Sequence, residues 1–259
     1  MTHYQMRGKG KVLLFIHGWG WDSRVWVKQL QELSKNFCAI TMDLRGHGRS
    51  EWKSADNLLD AFAEDVLILS KKLNLKNINF IGWSLGCNVI FRLFEIEPAI
   101  FSSVTLVGGT PKFLKGDGFD FGFEKKNTRL LKRRLNRDFN SALLDFRRSI
   151  FLENEVKKTD FPNLWKILNE GPRPNRDALN LGLEILERND FREGIRGFYV
   201  PVLIVCGEGD PITPKGASVY MNKAIKDSAL VMIKGAGHAP FLTKPYEFNQ
   251  IFKKWINEK

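Results

Sequence analysis

Short, mostly apolar runs alternate along the chain with segments in which apolar residues recur every three or four positions. The first pattern is typical of buried parallel strands and the second of amphipathic helices. The runs that predict strands are Val12–Ile16, Ala39–Met42, Ile78–Ile81, Ser103–Val107, Val202–Cys206 and Ala229–Ile233. The segments that predict helices are 25–33, 57–73 and 215–226, with another ending near Phe94 and a last one from about Tyr246. Strands that alternate with helices predict a mostly parallel sheet with crossover connections.

This alternation stops between Thr110 and Tyr199. No strand pattern is found there, and charged helical segments are broken by Gly, Pro and Asn. A length of 259 residues suits one domain with an insertion. We therefore expect an α/β core from residues 1–110 and 200–259, with a helical lid at 111–199 over the carboxyl ends of the strands.

Composition narrows the class of protein. An apolar fraction of 43% with 12% aromatic residues argues against disorder. Residues 1–7 lack the pattern of a signal peptide, and no apolar run approaches the length of a membrane span. Cys38, Cys87 and Cys206 show neither zinc-ligand nor CxxC spacing, so we expect buried, reduced thiols. We expect a cytoplasmic monomer with no membrane contact.

A serine between two glycines carries the first chemical signal. Gly82-Trp83-Ser84-Leu85-Gly86 directly follows the predicted strand at 78–81. In such a nucleophile elbow the chain turns sharply from strand into helix, the serine is strained, and side chains at the glycine positions would collide with backbone. The turn exposes the hydroxyl and places the Leu85 N–H at a helix N-terminus, where it can face an anion.

A serine nucleophile needs a base that an acid holds in one tautomer. The candidate bases are His3, His17, His47 and His238. Only His238, in a loop after a late predicted strand, satisfies the chain order serine, acid, histidine of α/β-hydrolases. His3 lies in a terminus that we expect to fray.

The acid should follow a strand that lies between the serine and the histidine. The loop Gly207-Glu208-Gly209-Asp210-Pro211 offers two carboxylates. We favour Asp210, because it lies where the loop turns toward a helix, and Glu208 remains the alternative. Asp43 precedes the serine and is interpreted as a structural loop residue. For the oxyanion, Leu85 supplies one backbone N–H and Trp19, in the loop after the first long strand, the other.

Five blocks give the chain a resemblance to the BioH-type carboxylesterases of biotin synthesis, which hydrolyse pimeloyl-[acyl-carrier protein] methyl ester. The blocks are His17-Gly18-Trp19-Gly20, Asp43 to Ser50, Gly82 to Gly86, Asn180 to Leu186, and Gly237 to Phe241. The resemblance implies the α/β-hydrolase fold, a triad of Ser84, Asp210 and His238, and oxyanion and substrate contacts at Trp19 and Leu85. It also implies that Phe146 lines the acyl channel and that Arg147 and Arg148, the next two residues, contact the substrate. Such chemistry needs no metal or organic cofactor.

The net charge of +11 predicts an acidic partner. Seven basic residues oppose one acid, Glu124, between positions 124 and 137: Lys125, Lys126, Arg129, Lys132, Arg133, Arg134 and Arg137. Acyl-carrier proteins are strongly acidic, so Arg129, Arg133, Arg134 and Arg137 are candidate docking residues. No nucleic-acid-binding motif accompanies them, so we do not expect nucleic acid as the partner.

The sequence therefore predicts a serine carboxylesterase that hydrolyses the methyl ester of pimeloyl-[acyl-carrier protein] through an acyl-enzyme. Two alternatives remain open. The first is a general short-chain esterase or C–C bond hydrolase with the same triad. The second is a hydrolase homologue that binds a ligand without catalysis.

Overall fold

The computed structural model of the chain describes residues 1–156, 164, 166 and 170–259. Its strands, numbered β1 to β7 in chain order, are Tyr4–Arg7, Val12–Ile16, Cys38–Met42, Ile78–Trp83, Phe101–Val107, Val202–Gly207 and Ser228–Ile233. They form one sheet in the order β1-β3-β2-β4-β5-β6-β7. All neighbouring pairs are parallel except β1 with β3. The predicted mostly parallel sheet is thus confirmed.

Helices flank this sheet. Within the described residues the α-helices, numbered α1 to α9, are Val27–Leu33, Leu58–Lys72, Leu85–Ile96, Lys125–Arg137, Phe139–Ser149, Arg176–Arg188, Lys215–Ala224, Pro240–Thr243 and Pro245–Asn257. Short 3₁₀ helices occur at Ser23–Trp26, Pro98–Ile100 and Gly194–Gly197. None of the helices described is long and apolar enough to cross a membrane.

The continuous apolar runs correspond to strands covered on both faces. Every residue of β3, β4 and β6 is buried, as is all of β2 except its first residue. Such strands cannot alternate between apolar and polar positions, because neither face meets water. The three cysteines are buried free thiols, as expected.

The amino-terminal segment differs from the sequence-based expectation. Residues 4–7 form the antiparallel edge strand β1, and the expected fraying of His3 is wrong. The His3 carbonyl accepts a hydrogen bond from the Asp43 N–H at 2.9 Å, and its N–H donates to the Ser50 hydroxyl at 2.8 Å. A four-residue edge strand with two exposed positions has too weak an apolar pattern to be recognised from sequence.

The segment between β5 and β6 contains α4, α5 and α6. Its described part has only isolated bridges, such as Lys112 with Asp190, and no regular strand. Residues 157–163, 165 and 167–169 of the predicted lid lie outside the described residues. An ion pair of 2.7 Å between Lys132 and Glu187 joins α4 to α6.

Candidate active site

Ser84 lies at the sharp turn between β4 and α3. Its φ of 53° and ψ of −115° are a conformation that L-residues rarely adopt. The Ser84 N–H donates to the Val107 carbonyl at 3.0 Å, which ties the turn to the end of β5. The serine is half-buried, and Leu85 starts α3 directly after it.

Close backbone approach explains the glycines that flank this serine. A Cβ on Gly86 would lie 2.4 Å from the Ile16 carbonyl oxygen, and one on Gly82 would lie 2.7 Å from the Gly86 carbonyl carbon. Neither glycine has a positive φ, so both are needed for space rather than for an unusual conformation. The first turn of α3 therefore packs directly on the end of β2.

Asp210 and His238 form a buried pair. Nδ1 of His238 lies 2.8 Å from Oδ2 of Asp210. The other carboxylate oxygen accepts the N–H groups of Ile212 and Thr213 at 2.8 and 2.9 Å. These bonds hold the carboxylate so that the imidazole carries its proton on Nδ1 and keeps Nε2 open as a base. Glu208, the alternative acid, is exposed to solvent.

His238 Nε2 is buried and has no hydrogen-bond partner within the described part of the chain. It is the atom that can accept a proton from a serine hydroxyl. The ring lies close to the end of β5, since a Cβ on Gly108 would meet Nδ1 at 3.0 Å. Gly108 directly follows Val107, which holds the Ser84 backbone.

Thr213 is a site residue that sequence reasoning missed. Its hydroxyl lies 2.8 Å from Asp210 Oδ2 and 3.0 Å from the Gly108 carbonyl, and it donates to one of them at a time. The sequence did contain a signal for this contact. An Asp followed by a Thr three residues later in a Pro-containing loop favours a turn in which the Asp side chain bonds the backbone of the residues after it.

The His238 backbone is held from two sides. The Trp83 indole N–H donates to the His238 carbonyl at 2.9 Å. The His238 N–H donates to the Ile150 carbonyl, just past α5, also at 2.9 Å. The elbow and the inserted segment together therefore fix the loop that carries the histidine.

Two backbone N–H groups lie where an oxyanion hole is expected. Neither the Trp19 N–H nor the Leu85 N–H donates a hydrogen bond to any residue that the structure describes. A Cβ on Gly18, the residue before Trp19, would lie 3.2 Å from the Ser84 Cβ. The loop after β2 thus passes beside the serine.

The Trp19 ring is packed against the inserted segment. Its Nε1 donates to the Leu179 carbonyl of α6 at 2.8 Å, and the ring lies nearly perpendicular to the Phe146 ring, with centroids 4.8 Å apart. A Cβ on Gly182 would lie 3.0 Å from the ring. Gly182, in the block 180–186, therefore lets α6 lie against Trp19.

Arg147 is directed toward the loop after β2. Its Nε and Nη2 donate to the Gly20 carbonyl at 3.0 and 2.7 Å, and the guanidinium lies over the Trp21 ring at 5.2 Å. Burial lowers the pKa of Arg147 to about 10, so the group is charged at neutral pH. Arg148, its neighbour, is exposed.

His17 and His47 are buried behind this loop and have structural contacts. His17 Nε2 accepts the Leu44 N–H at 2.9 Å, so its Nδ1 carries the proton and donates to the Gly18 carbonyl at 2.8 Å. Burial lowers the pKa of His17, and burial together with His17 lowers that of His47 to about 3. Asp43 accepts the backbone N–H groups of Ser23 and Arg49, which fits the structural role expected of it.

Cys87, one turn after Ser84, is a neutral thiol. Burial raises its pKa to about 12, and its Sγ donates to the Gly82 carbonyl at 3.2 Å. A thiol of that pKa is not a nucleophile at neutral pH.

The candidate docking arginines lie exposed on α4. Arg134 pairs with Asp145 of α5. Arg129, Arg133 and Arg137 have no ion pair with any described residue. The basic face is therefore available to an acidic partner at three of its four positions.

Comparisons with known proteins place this site in a family. The model of the alpha/beta hydrolase fold matches residues 11–245, and the chain belongs to that family. Similar solved structures include a bromoperoxidase from Bacillus anthracis, with a TM-score of 0.91 at 24% identity, covering 99% of this chain and 95% of that one. An esterase from Exiguobacterium antarcticum has a TM-score of 0.91 at 21% identity, with the same coverage of both chains. Likeness at these identities shows the fold alone.

Curated relatives are similar over nearly the whole chain. A pimeloyl-[acyl-carrier protein] methyl ester esterase of Nitrosomonas europaea is 32% identical over 250 residues, which cover 96% of this chain and 97% of that protein. The protein of the same name from Cronobacter sakazakii is 31% identical over 246 residues, covering 95% and 93%.

Substitution at the two acids tests which one pairs with the histidine. Asp210→Asn should lower kcat on the order of 10³–10⁴-fold, because the amide presents a donor and favours the wrong imidazole tautomer. Glu208→Gln, its matched control, should leave kcat unchanged, because Glu208 is exposed. Steady-state hydrolysis of an aryl ester measures both, and a large loss in Glu208→Gln would contradict the assignment.

Gly86→Ala should destabilise the fold by about 1–3 kcal/mol, the usual effect of overpacking, because its Cβ has no room beside Ile16. Gly197→Ala is the control, since nothing lies within 4 Å of a Cβ there. Urea unfolding of both variants measures the difference in the free energy of unfolding. Equal stability of the two would show that β2 and α3 can separate without cost.

Proposed function

We propose that this protein is a serine carboxylesterase that hydrolyses the methyl ester of pimeloyl-[acyl-carrier protein], the reaction that supplies a biotin precursor. The observation that carries the chemistry is the buried Asp210–His238 pair with an open Nε2, next to a serine in the strained elbow conformation. The substrate is supported by the names of the curated relatives, which match nearly the whole chain at about 30% identity.

In the first half-reaction His238 Nε2 takes the Ser84 proton as the hydroxyl oxygen attacks the ester carbonyl. The N–H groups of Trp19 and Leu85 hold the negative charge that develops on the carbonyl oxygen. The C–O bond to the methoxy group then breaks. Methanol leaves with the proton from His238, and the acyl group stays bound to Ser84.

In the second half-reaction water replaces the alcohol. His238 Nε2 takes a proton from the water, and the hydroxide attacks the acyl-enzyme at the same carbonyl carbon. The tetrahedral species is stabilised by the same two N–H groups. Its collapse returns the proton to Ser84 and releases the free carboxylate, which leaves the enzyme unchanged.

The acyl chain of the proposed substrate has a methyl ester at one end and a more reactive thioester to the carrier protein at the other. Docking of the carrier would determine which of the two reaches the serine. We propose that the acidic carrier docks on the exposed arginines of α4, with its pantetheine arm threaded inward. Only the far end of the acyl chain then reaches Ser84, so geometry overrides intrinsic reactivity. α4 is joined through Lys132–Glu187 to α6, which contacts the Trp19 ring. The docking face is thus structurally connected to the site.

A general short-chain esterase with the same triad is the second candidate. The solved structures of similar fold include an esterase, although at 21% identity. That enzyme would turn over small free esters well and would be indifferent to charge on α4. Activity on carrier-bound substrate separates the two.

Incubation with methyl pimeloyl-[acyl-carrier protein] should remove one methylene from the mass of the acyl chain and leave the thioester intact. Intact-protein mass spectrometry measures this change. Ser84→Ala should show none, because no nucleophile remains. Absence of change with the unsubstituted protein, while it cleaves small aryl esters, would favour the general esterase.

Reversing the charge of Arg129, Arg133 and Arg137 to Glu should lower kcat/KM on carrier-bound substrate about tenfold or more, because steering by opposite charge is lost. Turnover of a small aryl ester should not change. The control reverses Lys223, Lys226 and Lys234, which are exposed on α7 and at the two ends of β7 and change the net charge equally. Equal losses in both triple variants would contradict specific docking.

A further inference from the structure

Residues 150–156, which follow α5, lie against both loops that carry the acid and the base. The Ile150 carbonyl accepts the His238 N–H at 2.9 Å. On the other loop, a Cβ on Gly209 would lie 2.8 Å from the Leu152 side chain. The inserted segment thus contacts both loops that carry the Asp210–His238 pair.

One carboxylate in this stretch joins the two parts of the structure. Glu155 Oε1 accepts the Gly237 N–H at 2.9 Å and the Thr243 hydroxyl at 2.6 Å. Its Oε2 accepts the Leu152 N–H at 2.8 Å. Gly237 directly precedes His238, so Glu155 binds the peptide group next to the base. Hydrogen bonds from N–H groups to a carboxylate are about twice as strong as neutral ones.

Residues 150–155 approach Gly237 so closely that a side chain at this position would have no room. A Cβ there would lie 2.6 Å from the Ile150 carbonyl oxygen and 2.7 Å from Glu155 Oε2. Gly237 does not have a positive φ, so its backbone conformation does not require glycine. The requirement comes from the close approach of residues 150–155.

We propose that Glu155 is a positioning residue for His238 and couples the placement of the inserted segment to the geometry of the base. This role rests on the proposed serine-esterase chemistry. The Asp210 carboxylate holds the His238 ring, and the Trp83 indole holds the His238 carbonyl. The Ile150 carbonyl holds the His238 N–H, and Glu155 holds the N–H of the preceding residue, Gly237. Without Glu155 the loop keeps its fold but can shift relative to Ser84.

Glutamine is the informative substitution at this position. Glu155→Gln keeps the size of the side chain but replaces one acceptor oxygen by an NH₂ group. The NH₂ group must then face an N–H donor, either that of Gly237 or that of Leu152, so one of these two hydrogen bonds is lost. The Glu153→Gln variant is the matched control, because Glu153 is exposed on the same stretch and forms no ion pair or hydrogen bond with a described residue.

The experiment is pre-steady-state hydrolysis of p-nitrophenyl butyrate, which does not depend on the carrier assignment. The burst amplitude counts competent sites, and the burst rate constant reports acylation. Because His238 serves both half-reactions, Glu155→Gln should slow acylation and deacylation together by up to about 100-fold, the loss that a 1 Å misplacement can cause. The burst amplitude and KM should then stay unchanged. Glu153→Gln should match the unsubstituted protein.

The opposite result has a distinct signature. A reduced amplitude with an unchanged rate constant would mean that Glu155 serves only folding, and it would overturn the proposal. If Glu155→Gln does not fold well enough for a burst to be measured, Glu155→Asp is used instead, because it keeps both carboxylate oxygens on a shorter side chain. The same amplitude and rate constant then test the proposal. No turnover by the unsubstituted protein would instead overturn the proposed esterase function, and this role of Glu155 with it.

Discussion

The close approach of α3 to the end of β2 is the constraint on which the site depends. Only glycine at positions 82 and 86 leaves room for this packing, and the tight turn forces Ser84 into a strained conformation. The strain is held by the strands on either side and by the hydrogen bond from Ser84 to the end of β5. The serine is thereby presented at the carboxyl edge of the sheet with the first N–H of α3 beside it.

Parallel pairing brings the other groups to the same edge. The loops after β2, β4, β5, β6 and β7 contribute Trp19, Ser84, Gly108, Asp210 and His238. Because parallel strands all end on one side, residues far apart in sequence meet there without any long-range signal in the chain. For this reason chain order and strand ends single out Asp210 and His238 as the candidate acid and base.

The inserted segment between β5 and β6 holds two of the loops that form the site. It holds the loop after β2 through Arg147 and the Trp19 ring, and it holds the histidine loop through the Ile150 carbonyl and Glu155. Gly182 and Gly237 make two of these contacts possible by close approach. A segment with a weak sequence pattern therefore braces the two loops on which nucleophilic attack depends.

The sequence by itself determined the strands, the elbow and the order of serine, acid and histidine, because buried apolar runs and a glycine-flanked serine are local patterns with local causes. Tertiary structure alone decided the edge strand β1, the Thr213 bond to the Gly108 carbonyl, the pairing of Arg134 with Asp145 and the Glu155 contact with Gly237. These contacts depend on groups that meet between separate segments of the chain. A charged or polar residue in a helical or loop segment has the same local pattern whether it faces solvent or a partner across the fold.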